Sequence, residues 1–122
     1  NDLSKGADNV IILRLAEMYL IRAEAEANNN GTVANIQNDL NEIRTRANLG
    51  LTNASNISNL ILAIEKERRV EFAFEGHRWF DLVRTGQGSK IPGFTPNKNE
   101  VFPIPLIEIQ LAGNRWEQNP GY

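Results

Sequence analysis

Cysteine is absent from these 122 residues, so neither a disulfide framework nor a thiolate metal site can be built from them. Histidine occurs once, at His77, and a general base needs a nucleophile or a substrate proton within reach, so a lone His beside a glycine reads as structural. Proline is missing from the first 91 positions; all five (Pro92, Pro96, Pro103, Pro105, Pro120) fall in the last 31. No apolar run approaches the roughly 18 residues of a membrane-spanning helix. Neither sign of charge dominates: 13 basic and 15 acidic residues are interspersed, with a net charge of −2. No basic stripe suggests nucleic acid. No signal peptide opens the chain, and it starts at Asn1 without Met, which suggests a fragment or a processed chain.

What is present is ordinary for a globular protein: 41% hydrophobic and 23% charged residues, enough to bury a core and too apolar for disorder. The length suits a single domain. The densest charge lies in the stretch 65–86, EKERRVEFAFEGHRWFDLVRTG, together with Phe72, Phe74, Trp79 and Phe80. A helix with this pattern cannot keep every charge in water and every ring dry, so some charges must sit paired at the core's edge. Residues three or four apart are neighbours on a helix. Glu65 and Arg69 can therefore pair. Glu67, Glu71 and Glu75 form a ladder that repels unless covered by cations, and Arg68 and Arg78 stand three residues from Glu71 and Glu75. Asp81 is three from both Arg78 and Arg84. We read Glu67, Arg68, Glu71, Glu75, Arg78, Asp81 and Arg84 as a structural ion-pair network. The competing reading, a glycosidase carboxylate pair, is weakened because Glu71 and Glu75 each have an arginine at helical spacing. A dimetal site on a helix needs Glu-x-x-His, and Phe74 occupies the position three before His77.

Along the chain, residues 1–9 read as a polar lead-in, with Asp8 or Asn9 a candidate N-cap. A helix is predicted over 10–28, with Ile12, Leu15, Ala16, Tyr19, Ala23 and Ala27 on one face, stopped by Asn28, Asn29, Asn30 and Gly31. Thr32 can cap the next helix, whose stripe is Val33, Ile36, Leu40, Ile43 and Ala47. So short a link forces an antiparallel hairpin. Ser55 or Asn56 can cap a third helix carrying Ile57, Leu60, Ile61 and Ile64. Gly76 marks a break, and 77–84 continues as a short helix. From 87 on, the prolines oppose regular structure and predict an extended tail docked through Phe102 and Ile104, with one helical turn over 106–111 after Pro105. The expected fold class is therefore all-α, with tetratricopeptide-like helical hairpins in a body over 10–86 and a proline-rich extended tail over 87–122. No 34-residue repeat is visible.

Four segments occur in a particular order: LRLAEMYLIRAEA (13–25), LNEIRTRA (40–47), ERRVEFAFEGHRWFDLVRTG (67–86) and VFPIPLIEIQ…NRWEQNPGY (101–122). In this combination the chain resembles the C-terminal region of the SusD/RagB family of outer-membrane nutrient-binding lipoproteins. Glu75, Gly76, Arg78, Asp81 and Leu82 carry the central motif, and Gln118 to Tyr122 match the way such proteins end. The resemblance implies a mostly helical scaffold at the cell surface, held in the outer membrane by a lipidated cysteine. It implies partnership with a TonB-dependent outer-membrane transporter and capture of oligosaccharides, or sometimes peptides, without cleaving them, hence no enzyme and no cofactor. Family members are several times longer, so no ligand residue can be carried onto this chain. The isolated chain is expected to expose an apolar face and self-associate.

Three functions remain in play. The first is a carbohydrate-binding surface protein, this chain being its scaffold part. The second is a helical protein–protein interaction scaffold with no sugar site. The third, least supported, is a hydrolase using the Glu ladder. Trp79 lies in an apolar helical stretch and reads as core, whereas Trp116, in the polar NRWEQN segment, is the candidate ligand-stacking ring. No Ser/His/Asp set, phosphate-binding glycine loop or metal-spaced cluster suggests another enzyme.

Overall fold

Alanine and leucine at three- and four-residue spacing set the first helix of the computed structural model, which describes residues 12–113 and 115–122. Helix α1 (Leu15–Asn28) buries Ala16, Leu20, Ala23 and Ala27. The small residues let the neighbouring helices approach closely. The helix begins later than the periodicity predicts. Arg14 is extended (φ −127°, ψ 136°), and Ile12 and Leu13 are exposed. Two physical reasons apply. Ile12 is β-branched and gains little from helix, and the Arg14 side chain is committed to a distant acid described below. The expected caps Asp8 and Asn9 lie outside the described residues.

Helix α2 (Val33–Arg46) starts where Thr32 accepts a hydrogen bond from the Asn35 amide at 3.2 Å. Helix α3 (Ile57–Glu71) starts where Asn56 accepts from Asn59 at 2.9 Å. Both caps satisfy a donor that the first turn would otherwise leave open. Only four residues separate α1 from α2, with Asn30 left-handed at φ 58°, and the two helices run antiparallel, Arg22 meeting Asp39 and α1's first residues lying near α2's last.

The link between α2 and α3 does something different. Arg44 donates to the Gly50 carbonyl, the Thr52 amide to the Asn41 side chain, and Gln37 to the Ala54 carbonyl, at 2.7, 2.8 and 2.7 Å. The connector thus climbs back along α2 from its end toward its start. Helix α3 then runs in the same direction as α2, bringing Arg44 to Glu67 and Arg46 to Glu71. Leu20, Ile36, Leu40, Leu60 and Ile64 are fully buried where the three helices meet, closed by Ala54 and Phe72. Each such aliphatic residue contributes about 1.5–3 kcal/mol on burial.

The chain divides into two compact units, the first ending at Phe72 and the second spanning Ala73–Tyr122; the sequence had suggested one domain with its division near residue 86. In the second unit, residues 73–76 form turns leading into α4 (His77–Arg84). Gly76 is left-handed at φ 82°, a conformation that costs a residue with a Cβ roughly 1–2 kcal/mol. Leu82 is buried, while Phe80 faces solvent. A 3₁₀ turn (Gly88–Lys90) follows. Gly88 is buried beneath the Phe94 ring, so closely that a Cβ there would stand 2.3 Å from the ring. Phe94 in turn meets Trp79 at 6.0 Å between centroids, tilted by 56°, a favourable aromatic geometry. Helix α5 (Leu106–Leu111) is the predicted turn after Pro105 and buries none of its residues.

The tail is held by side-chain amides. Gln118 accepts from the Ile104 amide at 2.7 Å and donates to the Ile104 carbonyl at 2.8 Å, pairing with the backbone as a neighbouring strand would. Asn119 donates to the Phe102 carbonyl at 2.6 Å, and the Tyr122 hydroxyl to the Val101 carbonyl at 3.2 Å. Docking through Phe102 does not occur: that ring is 78% exposed, and only Ile104 is partly buried. The peptide groups, not the Phe102 ring, anchor this segment. The fold is all-α, as expected, with a tetratricopeptide-like hairpin at its start and no strand among the described residues.

Candidate functional site

Of the seven residues expected to form one ion-pair network, Glu67, Arg68 and Glu71 belong to the first unit and Glu75, Arg78, Asp81 and Arg84 to the second. In the first unit the pairing crosses between helices. Glu71 closes α3 with its side chain only 9% exposed. Arg14 donates to its carboxylate, and also to its main-chain carbonyl at 3.3 Å, while Arg46 reaches the second carboxylate oxygen at 2.5 Å. Glu67 is held by Arg44 at 3.0 Å, and Arg68 lies 4.0 Å from Glu24 on α1. The Arg14 and Arg68 guanidiniums stand 5.5 and 5.2 Å from the centroid of Phe72, within cation–π range. In the second unit, Asp81 is buried and accepts from Arg84 at 2.8 Å, three residues away, as helical spacing predicts. Arg78 stands in the first turn of α4, and Glu75 in the turn before it.

The partners Arg14, Arg44, Arg46 and Glu24 were not legible as such. They sit on other helices or, for Arg14, just before one, and only the return path of the 47–56 connector brings Arg44 and Arg46 beside α3. A further pair closes the α1–α2 hairpin. Arg22 donates to both oxygens of buried Asp39, with Nε to Oδ2 at 2.7 Å, and its guanidinium lies 5.4 Å from the Tyr19 centroid. The hydrogen bonds and the charge of Asp39 raise the Arg22 pKa further above its ordinary value.

This geometry limits the chemistry of Glu67 and Glu71. A glycosidase needs one carboxyl group protonated and the other free to attack or to activate water. Here both acids are bound by arginine and sit at the edge of a packed core. Trp116 is half exposed, between exposed Arg115 and Glu117. Among the described residues no second ring stacks with it, so one face of an indole is all it offers a ligand. Trp79 is half buried against Phe94. Among the described residues no group of three potential metal-ligating acids or histidines is gathered.

The comparisons with known proteins bear on this helical body directly. The SusD family model matches residues 1–92. A SusD-like protein of Formosa agariphila is 32% identical over an alignment covering 100% of this chain and 28% of its own length. The starch-binding protein SusD of Bacteroides thetaiotaomicron is 33% identical over 93% of this chain and 22% of its own. Among solved structures, a SusD-like protein from Bacteroides fragilis superposes with a TM-score of 0.82 at 31% identity, covering 92% of this chain and 26% of that one. A SusD superfamily protein from Parabacteroides distasonis superposes with a TM-score of 0.77 at 29% identity. The chain thus spans about a quarter of the length of the relatives it matches. With three quarters of its residues inside the family model and its fold shared with solved members, the chain belongs to the SusD family.

Proposed function

We propose that this chain is the helical scaffold part of a non-catalytic, glycan-binding protein of the outer membrane, working with a TonB-dependent transporter in oligosaccharide uptake. The observation that carries this reading is the family match over residues 1–92, joined to a relative named for starch binding. The site geometry supports the non-catalytic part, because Glu67 and Glu71 are locked by Arg44, Arg14 and Arg46. The scaffold part is supported by where the chain spends its charge: on tying α1, α2 and α3 together. Leu15 and Met18 on α1 and Leu62 and Val70 on α3 remain exposed, which leaves apolar surface for further packing and underlies the expected self-association of the isolated chain.

The test is calorimetric titration of a panel of oligosaccharides into the longer protein that contains this chain, with product analysis of each mixture. Saturable heat with at least one oligosaccharide and no cleavage product is the expected result. Release of shortened sugars that stops in Glu71→Gln would overturn the non-catalytic reading. Absence of heat with every sugar would replace it by the protein–protein scaffold. Sedimentation of the isolated chain at rising concentration reports self-association; a constant monomer mass would remove that part.

A further inference from the structure

The turn between α1 and α2 carries a dipeptide that occurs once in the chain, Asn30-Gly31. The fold requires it. Asn30 is left-handed at φ 58°, a conformation that asparagine tolerates better than most residues. The Gly31 amide then donates to the Glu26 carbonyl at 2.7 Å, satisfying an acceptor that the end of a helix leaves open. A Cβ on residue 31 would stand 2.5 Å from the Glu26 Cβ and 2.8 Å from its carbonyl oxygen, so only glycine fits. The same turn is chemically vulnerable. Asn30 is exposed, asparagine is a thermolabile residue, and Gly31 has no Cβ to shield its nitrogen from the neighbouring side-chain amide. Helix α2 ends in the same way. Asn48 is left-handed at φ 55°, and the Leu49 amide donates to the Arg44 carbonyl at 2.8 Å. There the following residue is leucine, whose side chain crowds its nitrogen.

We propose that Asn30 is a modification site, deamidated spontaneously at a rate gated by opening of this turn. The Gly31 nitrogen gives up its proton and bonds to the side-chain carbonyl carbon of Asn30. The bond from that carbon to the side-chain nitrogen breaks, and the nitrogen leaves with the proton as ammonia. Water then adds to the cyclic imide. If it breaks the new bond, an aspartate stands at position 30. If it breaks the bond to the main-chain carbonyl carbon, the product is an isoaspartate, whose main chain runs through the former side chain and is one carbon longer. In the closed turn the attacking nitrogen is held to Glu26 through its proton, and the imide has no N–H with which to restore that bond. Ring closure therefore needs the turn open. Both products weaken the hairpin. The isoaspartate lengthens a link in which position 31 already lies against Glu26. Either carboxylate stands at the C-terminal end of α1, where the helix's partial charge is negative and no basic residue in the last turn offsets it. Because α1 and α2 enclose Leu20, Ile36 and Leu40, the reaction is a chemical clock on the core of the helical body.

The experiment incubates the chain in mildly alkaline buffer, with and without denaturing urea. Peptide mapping with tandem mass spectrometry follows positions 30 and 48, and enzymatic methylation marks isoaspartate. Product is expected at Asn30, at least about tenfold faster in urea than in the folded chain, the factor that one broken hydrogen bond accounts for. Asn48, in the same kind of turn, should stay unmodified over the same period. Asn30→Gly keeps the left-handed turn and has no side-chain amide. Its thermal melt should survive the incubation unchanged, while that of the converted parent chain falls. Comparable product at Asn30 and Asn48, or none at Asn30 even in urea, would overturn the assignment of the site. Equal rates at Asn30 with and without urea would overturn the gating. A parent chain that melts as before after full conversion would overturn the weakening of the hairpin.

Discussion

Replacing Glu71 by glutamine tests whether the arginine clasp holds the first unit together. The substitution keeps shape and one acceptor oxygen but removes the charge that Arg14 and Arg46 share. The two partners are not equal. Arg46 is 57% exposed, and an exposed pair contributes about 0–1 kcal/mol. Arg14 is only 26% exposed and stacks near Phe72, so its guanidinium keeps a cation–π contact and the Glu71 carbonyl but loses its counter-charge. Breaking a buried pair costs about 3–5 kcal/mol. A half-buried one, with an amide oxygen left in place, should cost roughly 2 kcal/mol. For a chain of this size that lowers the melting temperature by roughly 6–10 °C. Urea unfolding followed by circular dichroism measures it. The double-mutant cycle with Arg14→Gln should return a coupling of at least about 1 kcal/mol, and the cycle with Arg46→Gln about half or less. A loss below about 0.5 kcal/mol for Glu71→Gln, the scale of an ordinary surface change, would refute the reasoning and reopen a functional role for this acid.

Three further perturbations address the remaining elements. Asn56→Ala removes the shorter of the two N-caps, 2.9 Å against 3.2 Å at Thr32, and should destabilise the first unit by about 1 kcal/mol in the same urea assay; a null effect would mean the α3 start is held by packing alone. Gly88→Ala places a Cβ 2.3 Å from the Phe94 ring and should displace it from Trp79, changing tryptophan emission, whereas Lys66→Ala, at an exposed position of α3, as a control should not; unchanged emission would show that the ring can move aside. Gln118→Leu deletes the paired hydrogen bonds to Ile104 and should make the Ile104 amide exchange with solvent at least about tenfold faster, since one lost hydrogen bond of about 1.4 kcal/mol is a factor of ten; unchanged exchange would show that Asn119 and Tyr122 suffice to hold the tail.

The features readable from the sequence were those that neighbours along the chain decide. The stripe Ile36, Leu40, Ile43 fixed α2, Asn56 announced α3, Gly76 announced the break, and 77–84 and 106–111 form helices over the predicted residues. The features that were not readable depend on the path of irregular chain. Arg44 and Arg46 look like solvated helix-end cations until the connector runs back along α2, a course set by two side-chain hydrogen bonds donated to its backbone by Arg44 and Gln37 and one that Asn41 accepts from it, none of which has a spacing rule. Helical spacing proposed Arg68 for Glu71, and the structure brings Arg14 and Arg46 to it from the ends of two other helices. The start of α1 failed for the same reason: periodicity ran through Ile12, but Arg14 turns extended to reach an acid 57 residues away. In the tail, apolar Phe102 drew the expectation of docking, while the side-chain amides of Gln118 and Asn119 hold the backbone.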